Sequence, residues 1–274
     1  MISLRTNSAA LVALRNMNQT QVRLEENLQR LSSGLRLNSA ADDPAGIGMS
    51  VKFEARIRSL GQAERNAQDG QNLLETAGGG LTEISGLLSK IRELAVEASD
   101  ATVSTSDRAD LNLEFNELRE EIDRLAENME YNDISLLNGS ASTLTLHVGA
   151  DGGASDQLRI GISDTRVAAL SGLSIASFSS AGAASSAISS IDGAIDIVNT
   201  TQASVGSSLN RLDASLGALG TERDNLIAAN SQIRDADLAV EASEFARNQV
   251  LMDAGLAVLA QANAMGSRVV GLIG

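Results

Sequence analysis

The sequence predicts a mainly α protein: a long, coiled-coil-like helical rod with a small β-hairpin region, whose terminal helices form a separate coiled-coil layer. Three observations lead to this fold class. Apolar residues recur at alternating spacings of three and four over long stretches, which places them along one side of a helix. Proline occurs once, at Pro44, so little interrupts a long helix. Aromatic residues make up only 2% of the 274 residues, so the predicted core is aliphatic.

Residues 1–36 are predicted to form an N-terminal coiled-coil helix, helical over 3–35, which a connector at 37–47 follows. Its seam is formed by Leu14, Met17, Gln21, Leu24, Leu28, Leu31 and Leu35. Such a seam must be buried against another helix. At the end of the connector, Asp42 or Asp43 can cap the next helix, with the proline in its first turn, where a missing N–H is not needed.

Residues 48–139 are predicted to hold two rod helices. The first ends near Ser99, and we expect a kink or weak point at Gly78–Gly80, because each glycine inside a helix costs about 1 kcal/mol relative to alanine. Its seam is formed by Leu81, Ile84, Leu88, Ile91, Ala95 and Ala98. The second rod helix covers about 107–130. Its seam is formed by Leu111, Phe115, Leu118, Ile122, Leu125 and Met129.

Residues 140–187 are predicted to be an exposed region that contains one β-hairpin. The region follows a turn at Asn138-Gly139. Apolar and polar residues then alternate in two short runs, which is the period of a strand. The apolar positions of this hairpin are Leu144, Leu146, Val148, Leu158, Ile160 and Ile162. Residues 167–187 are rich in Ser, Ala and Gly, which predicts a loose excursion on the surface.

Residues 188–234 are predicted to form one long C-terminal rod helix. Its seam is formed by Ile188, Ile191, Ile195, Val198, Gln202, Val205, Leu209, Leu212, Leu216, Leu219, Arg223, Leu226, Asn230 and Ile233. At 1.5 Å per residue, a helix over 188–233 would be about 69 Å long. This length favours a rod over an ordinary globular bundle.

Residues 235–274 are predicted to form a C-terminal coiled-coil helix that pairs with the N-terminal one. Its seam is formed by Leu238, Ala242, Phe245, Gln249, Met252, Leu256, Leu259, Asn263, Gly266, Val270 and Ile273. The charges of the two ends are complementary, since 1–36 carries five arginines and two glutamates, and 235–274 carries five acidic residues and two arginines. Polar seam positions weaken an isolated helix pair, so we expect both ends to become ordered only in an assembly.

Composition argues against nucleic-acid binding, thiol chemistry and membrane insertion. The net charge of −14 does not provide the basic surface that nucleic acids need. There is no cysteine, so disulfides, thiol catalysis and thiolate metal sites are excluded. No segment predicts a membrane span, and the N-terminus lacks the apolar core of a cleavable secretion signal. No cofactor and no metal are predicted.

Each candidate for a chemical site has a simpler structural interpretation. His147, the single histidine, falls on the polar side of a predicted strand. Gly46-Ile-Gly48 lacks the third glycine of a dinucleotide fingerprint. The aspartates within 151–156 are more typical of a turn than of a calcium loop, and the acidic residues at 120–123 are more typical of a solvated helix face. The chain is therefore predicted not to be an enzyme.

Four sequence blocks carry a family resemblance: LQRLSSGLRLNSAADD at 28–43, RNAQDG at 65–70, IRELAV at 91–96 and LAQAN at 259–263. In these blocks the chain resembles bacterial flagellins, in a short form that lacks large outer variable domains. The resemblance implies a structural subunit that polymerises into the bacterial flagellar filament for swimming motility. It also implies export of the unfolded chain through the flagellar type III channel and an extracellular location.

The resemblance further implies an inner filament layer made by the terminal helices. The assembly seam would be formed by Leu24, Leu28, Leu31, Leu35, Phe245, Met252, Leu256 and Leu259. Lys90, Leu94 and Glu114 stand where contacts with the innate immune flagellin receptor lie in recognised flagellins, and Leu94 is expected to be partly exposed because it falls off the seam. The implied partners are other copies of the chain, the flagellar cap and hook-associated proteins, and an export chaperone at the C-terminal helix.

Two alternatives stay open. A hook–filament junction protein looks similar at the N-terminus, and a non-flagellar soluble coiled-coil scaffold would share the helical seams. Assembly of the purified chain into long filaments distinguishes both from a filament subunit.

Overall fold

The computed structural model describes residues 7–273, and for 265–273 it describes the backbone alone. Most of this part of the chain lies in five α-helices: α1 (Ser8–Ser33), α2 (Pro44–Ser99), α3 (Thr105–Asn128), α4 (Ala181–Arg234) and α5 (Leu238–Ile273). Between α3 and α4 lie the strands β1 (Glu130–Tyr131), β2 (Ile134–Ser135), β3 (Leu144–His147) and β4 (Gln157–Ile160). These elements confirm the predicted mainly α fold with a small hairpin region. Residues 3–6 of the predicted first helix lie outside the described residues.

The chain divides into two compact units. The middle unit is Arg58–Arg223, and the terminal unit combines Met1–Ile57 with Asp224–Gly274. The helices α2 and α4 each contribute residues to both units. Among the described helices, none combines the length and the apolar character needed to cross a bilayer.

In the terminal unit, α1 has a defined start and stop. The Asn7 side chain accepts a hydrogen bond from the Ala10 N–H at 3.1 Å, which caps the first turn. The helix ends at Gly34, whose φ of +70° is readily adopted only by glycine. Beyond it, the Arg36 N–H donates to the Arg234 carbonyl at 2.7 Å, which ties the connector to the end of α4.

Two carboxylates close the connector before α2. Asp42 Oδ2 accepts the backbone N–H groups of Ser39 at 2.9 Å and Asn38 at 3.0 Å. These hydrogen bonds, that of Ser39 foremost, lower the pKa of the Asp42 carboxyl. Asp43 Oδ1 accepts the Ala45 N–H at 3.0 Å. Of the two predicted caps, Asp43 therefore holds the first turn of α2.

The predicted kink or weak point lies inside α2, which runs without a break through Gly78, Gly79 and Gly80. Packing explains the third glycine. A Cβ at Gly80 would lie 2.8 Å from Met129 Cε and 2.9 Å from Leu137 Cδ1, so only glycine lets these side chains approach the helix. The lower helix propensity is offset by tertiary contacts.

The short helix α3 brings an aromatic pair into the middle unit. Its N-terminus is a capping box, in which the Ser104 side chain accepts the Asp107 N–H and the Asp107 side chain accepts the Ser104 N–H. Phe115 on α3 stacks against Phe178 with ring centroids 4.5 Å apart, and the Arg119 guanidinium lies 5.2 Å from the Phe115 centroid. Both rings are fully buried.

The predicted hairpin is confirmed, and a smaller one precedes it. In the predicted hairpin, β3 pairs antiparallel with β4, and Leu144 stands opposite Ile160. The smaller hairpin pairs β1 with β2 through a two-residue turn in which Asn132 and Asp133 both have positive φ. Asn and Asp favour this turn conformation, so the Asn-Asp pair was the available signal for it.

The expectation of a loose excursion over 167–187 is wrong. Its apolar residues Val167, Leu170, Leu173, Phe178, Ala184 and Ala187 are buried in the core of the middle unit. Side chains of α3 hold the segment: Asp123 Oδ1 accepts the Val167 N–H at 2.8 Å, and Asn112 Oδ1 accepts the Phe178 N–H at 2.9 Å. A few well-spaced apolar residues are therefore enough to fix a stretch that is mostly serine, alanine and glycine.

The long helix α4 is continuous, as predicted, and begins earlier, at Ala181. Its buried residues are Ala184, Ala187, Ile191, Ala194, Val198, Thr201, Val205, Ser208, Leu212 and Leu219. The large members of this set belong to the predicted seam. From Ala187 on, the small ones stand one residue before predicted seam positions, so the buried stripe is slightly rotated from the expected one.

Candidate assembly surface on the terminal helices

Within the terminal unit, α1 and α5 pack against each other. Contacts at both ends of the pair define an antiparallel arrangement. Near the start of α1, Asn7 Nδ2 donates to the Ala262 carbonyl at 2.9 Å. Near its end, Asn27 Nδ2 donates to Glu241 Oε2 at 2.6 Å. The predicted pairing of the two chain ends is therefore present within one chain.

The contact face of this pair differs in phase from the predicted seams. On α1 the shielded positions are Ala10, Ala13, Met17, Thr20, Leu24, Asn27 and Leu31, and the half-buried Arg30 flanks them. On α5 they are Glu241, Phe245, Asn248, Met252, Gly255, Leu259 and Ala262. From Ala13 on in α1 and throughout the α5 set, every second member matches a predicted seam position, and the others stand one residue before such a position, as in α4. Small side chains at these positions let the helices approach; a Cβ at Gly255 would lie 3.1 Å from Met17 Cγ.

The residues proposed for an assembly seam consequently divide into two groups. Those shielded in the pair, or half-buried beside it, are Leu24, Leu31, Leu35, Phe245, Met252 and Leu259. Leu28 and Leu256 lie outside the contact face, with 49% and 50% of their surfaces exposed. Leu35 follows α1 and forms an isolated bridge with Asp235.

Leu28 and Leu256 belong to a larger set of large apolar residues that the α1–α5 pair leaves uncovered. This outer apolar set consists of Leu11, Val12, Leu14, Val22, Leu28, Leu238, Val240, Val250, Leu251, Leu256 and Val258. A shallow groove between the helices adds to it, lined by Ser8, Ala9, Val12, Ala13, Asn16 and Val258. Large apolar residues left exposed in this number mark surfaces that other protein groups cover.

A buried polar layer crosses the same pair, and the sequence patterns did not reveal it. Asn27, Glu241 and Asn248 are each at most 8% exposed. Glu241 accepts from Asn27 at 2.6 Å and from Arg30 Nη1 at 3.2 Å, while Asn248 Nδ2 donates to Asn27 Oδ1 at 2.8 Å. The predicted polar positions Gln21 and Gln249 are exposed instead. The available signal was the spacing of seven between Glu241 and Asn248, which matches the heptad.

The three residues assigned to receptor contact do not share one environment. Lys90 is exposed and lies 3.8 Å from Glu93 Oε2 through its Nζ atom, and Glu114 on α3 is also exposed. Leu94 is only 4% exposed and belongs to the core of the middle unit. The expected exposure of Leu94 is therefore wrong, because the apolar stripe of α2 is wider than the strict seam from which it was judged.

The polar residues considered for chemistry have structural partners. His147 is exposed, and its carbonyl accepts a hydrogen bond from Asn66 Nδ2 at 3.0 Å. Glu121 accepts two hydrogen bonds from Arg124, which lower the pKa of the Glu121 carboxyl. A Cβ at Gly46 would lie 2.5 Å from Asp43 Oδ2, so glycine at this position leaves room for the capping carboxylate at the start of α2. Within the described residues, no group of three His, Cys, Asp or Glu side chains could hold a metal.

Comparisons with known proteins agree with this architecture. Residues 4–142 match the family region described as the bacterial flagellin N-terminal helical region, and 188–273 match the bacterial flagellin C-terminal helical region. The flagellin of Halalkalibacterium halodurans is 39% identical over 94% of this chain and 94% of its own length. The flagellin of Bacillus subtilis is 35% identical over 97% of this chain and 98% of its own.

Among solved structures, the crystal structure of Bacillus cereus flagellin is 30% identical and superposes with a TM-score of 0.51. The superposition covers 61% of this chain and 94% of the Bacillus cereus chain. The long helices, the small hairpin region and the matches at both ends of the sequence together show that this chain belongs to the bacterial flagellin family.

Proposed function

We propose that this chain polymerises through its terminal helices, with the outer apolar set as the surface that neighbouring copies cover. As a flagellin, the chain is a structural subunit of the flagellar filament. The observation that carries the proposal is the exposure of eleven large apolar residues on α1 and α5. In this arrangement 1–36 and 235–274 form the inner layer, and 48–139 and 188–234 form the layer outside it. The exposed polar side chains of 140–187 face solvent.

The free energy available from this surface is adequate for assembly. Covering the exposed half of a leucine or valine side chain gains about 1 kcal/mol, so eleven residues gain on the order of 10 kcal/mol. Association of two proteins costs about 4–15 kcal/mol. Contacts of each copy with several neighbours therefore make the polymer stable, whereas a single pair of copies would be marginal.

The proposed biological setting is an extracellular filament that drives swimming, built from chains exported unfolded through the type III channel. An exposed apolar α5 needs a cover before export, which suits an export chaperone as its first partner. The flagellar cap and hook-associated proteins would meet the same terminal surfaces at the filament ends. For the innate immune receptor, the exposed Lys90 and Glu114 are the residues in a position to make contact.

Charge placed on the outer apolar set tests the proposal. We expect Leu28→Glu and Leu256→Glu each to prevent salt-induced filament formation, because assembly would bury a carboxylate without a partner. The matched controls Gln29→Glu and Gln261→Glu add the same charge at exposed polar positions of the same helices. Sedimentation and negative-stain images report the polymer.

Normal filaments from both leucine variants would contradict this assignment of the surface. The unmodified chain separates the alternatives. A hook–filament junction protein would form only short assemblies, and a soluble coiled-coil scaffold would stay monodisperse in the same salt.

A further inference from the structure

The polar layer between α1 and α5 is an unusual feature of an otherwise apolar contact. Asn27, Glu241 and Asn248 are connected by hydrogen bonds of 2.6 and 2.8 Å, and Arg30 closes the layer at 3.2 Å. The remaining shielded positions are alanine, glycine and apolar side chains, apart from Thr20. Apart from the Asn7–Ala262 hydrogen bond at the other end, the layer therefore holds the side-chain hydrogen bonds described between the two helices.

In the layer, each hydrogen-bond donor faces an acceptor at hydrogen-bonding distance. Both carboxylate oxygens of Glu241 accept a hydrogen bond, one from Asn27 and one from Arg30. Asn27 donates through its amide nitrogen and accepts through its amide oxygen, the latter from Asn248. Buried carboxylates and amides without such partners are strongly unfavourable, so the layer penalises every arrangement that separates these residues.

We propose that Asn27, Glu241 and Asn248 form a partner-specificity site, which admits to the contact face of α1 only a helix that carries a carboxylate and a carboxamide seven residues apart, in one register. The α5 helix of this chain, or of another copy, meets that description. This deepens the proposed function and rests on it for the setting, since the pair acts within the filament. Buried polar residues in coiled coils fix partner and register in the same way.

Register follows from the geometry of the antiparallel pair. A slip of one heptad in one direction moves Glu241 from Asn27 and Arg30 to the level of Thr20 and Arg23. A cation is still available there, but a hydroxyl replaces the carboxamide that binds both Glu241 and Asn248. A slip in the other direction carries Glu241 past the end of α1. Apolar positions tolerate both slips, because the contact face repeats every seven residues. Discrimination therefore falls to the polar contacts, which are the layer, the Asn7–Ala262 hydrogen bond and, within one chain, the bridge between Leu35 and Asp235.

Partner choice follows from the types of residue on the two contact faces. The face of α1 carries no acidic residue, and the face of α5 carries no basic one. Pairing α1 with a second α1 would leave Asn27 and Arg30 without a carboxylate. Pairing α5 with a second α5 would bury Glu241 without a cation. Only the pairing of α1 with α5 gives the carboxylate, the guanidinium and both carboxamides of the layer a polar partner.

Disulfide trapping measures the register, because the chain has no cysteine of its own. Met17→Cys with Gly255→Cys reports the native register, in which these positions are in contact. Met17→Cys with Ala262→Cys and Ala10→Cys with Gly255→Cys report the two slips, about 10 Å away along the helix and out of disulfide reach. We expect the native pair to form at least about tenfold more disulfide than either slipped pair.

An apolar layer should remove this preference. In Asn27→Leu/Glu241→Leu/Asn248→Leu the helices still pair, because well-packed apolar residues replace buried polar ones without loss. The slipped disulfides should then rise to within about threefold of the native one. Gln21→Leu and Gln249→Leu are the matched controls, since they remove exposed amides from the same helices and should leave the native preference intact.

A rescue experiment separates specificity from simple loss of stability. Asn27→Asp places a carboxylate against that of Glu241 and should lower the native disulfide yield. Adding Glu241→Gln reverses the direction of that hydrogen bond and should restore the yield. Oxidation is carried out in dilute monomer and in filaments, and non-reducing gels distinguish bonds within one chain from bonds between copies.

The outcomes are separable from those of the proposed function. Measured in filaments, where both helices are ordered, three results would each overturn the specificity site. These are equal native and slipped yields in the parent chain, an apolar layer that keeps the native preference, and no rescue by Glu241→Gln. Failure of the parent chain to form filaments would overturn the proposed function, and disulfides formed in the monomer would still report the register of the transient α1–α5 pair.

Discussion

The middle and terminal units are both helical, yet they bury their side chains to different degrees. In the middle unit the core contains fully buried large residues from every long element, among them Phe115, Leu88 and Leu212. Among the described residues of the terminal unit, the buried hydrophobic side chains are Leu37 and Ala262. Its other buried side chains are polar and include Asn27 and Glu241.

This difference shows how the same helical periodicity serves two purposes. Residues of the middle unit are covered by other elements of the same unit, so its stability is local to one chain. In the terminal unit a single helix pair leaves large apolar residues such as Leu28 and Leu256 half-exposed. A thin pair of this kind barely offsets the backbone entropy of about 1–2 kcal/mol per ordered residue. We therefore expect the terminal helix pair to become ordered only when neighbouring copies of the chain cover it.

The largest expected effect comes from deleting 235–274. We expect the truncated chain to form no filaments, because one half of the α1–α5 pair is gone. Its melting temperature should change by less than about 4 °C, since the middle unit is intact. Electron microscopy after salt addition and calorimetry measure the two quantities. Polymerisation of the truncated chain would show that the terminal unit is not needed for assembly. Loss of the melting transition would show that the middle unit does not fold without it.

Hydrogen exchange compares the units directly. Amides of α1 and α5 should exchange fast in dilute monomer and roughly 100-fold more slowly in filaments, which is about 3 kcal/mol of added protection. Amides in the α4 part of the middle unit should be protected in both states. Strong protection of both terminal helices in dilute monomer would show that the pair is stable without neighbours.

A matched pair of leucine substitutions gives the next effect. Leu212→Ala removes a side chain that is 0% exposed and should lower the free energy of unfolding by about 2–5 kcal/mol. Leu256→Ala removes a half-exposed one and should change it by less than about 1 kcal/mol in the monomer. Chemical denaturation measures both values. Similar values for the two variants would mean that burial does not distinguish the units.

The smallest effect sharpens the comparison within one helix. Gly80→Ala should lower the free energy of unfolding by about 1–3 kcal/mol, because its Cβ would clash with Met129 and Leu137. Gly79→Ala, where nothing lies within 4 Å of a Cβ, should raise it by about 0.5–1 kcal/mol through helix propensity. Stability changes of the same sign in the two variants would show that packing does not determine which positions of α2 require glycine.

Local sequence features predicted most of the elements. The long helices, the Asp43 cap and the β3–β4 hairpin follow from periodicity, capping residues and turn residues, which act within a few positions along the chain. The family resemblance also came from contiguous blocks. The glycines of α2 could not be interpreted in this way, because the groups that approach Gly80 come from Met129 and Leu137, far along the sequence.

By itself the sequence determined where helices form and that both chain ends carry apolar seams, because residues spaced three and four apart lie on one side of a helix. Only the tertiary structure decided which of two adjacent heptad phases is buried, because both satisfy the same spacing. It placed Asn27 and Asn248 inside the pair, left Leu28 and Leu256 outside, and buried Leu94 in the middle unit. The physical reason is that helices approach most closely over small side chains, and periodicity counts only the large ones.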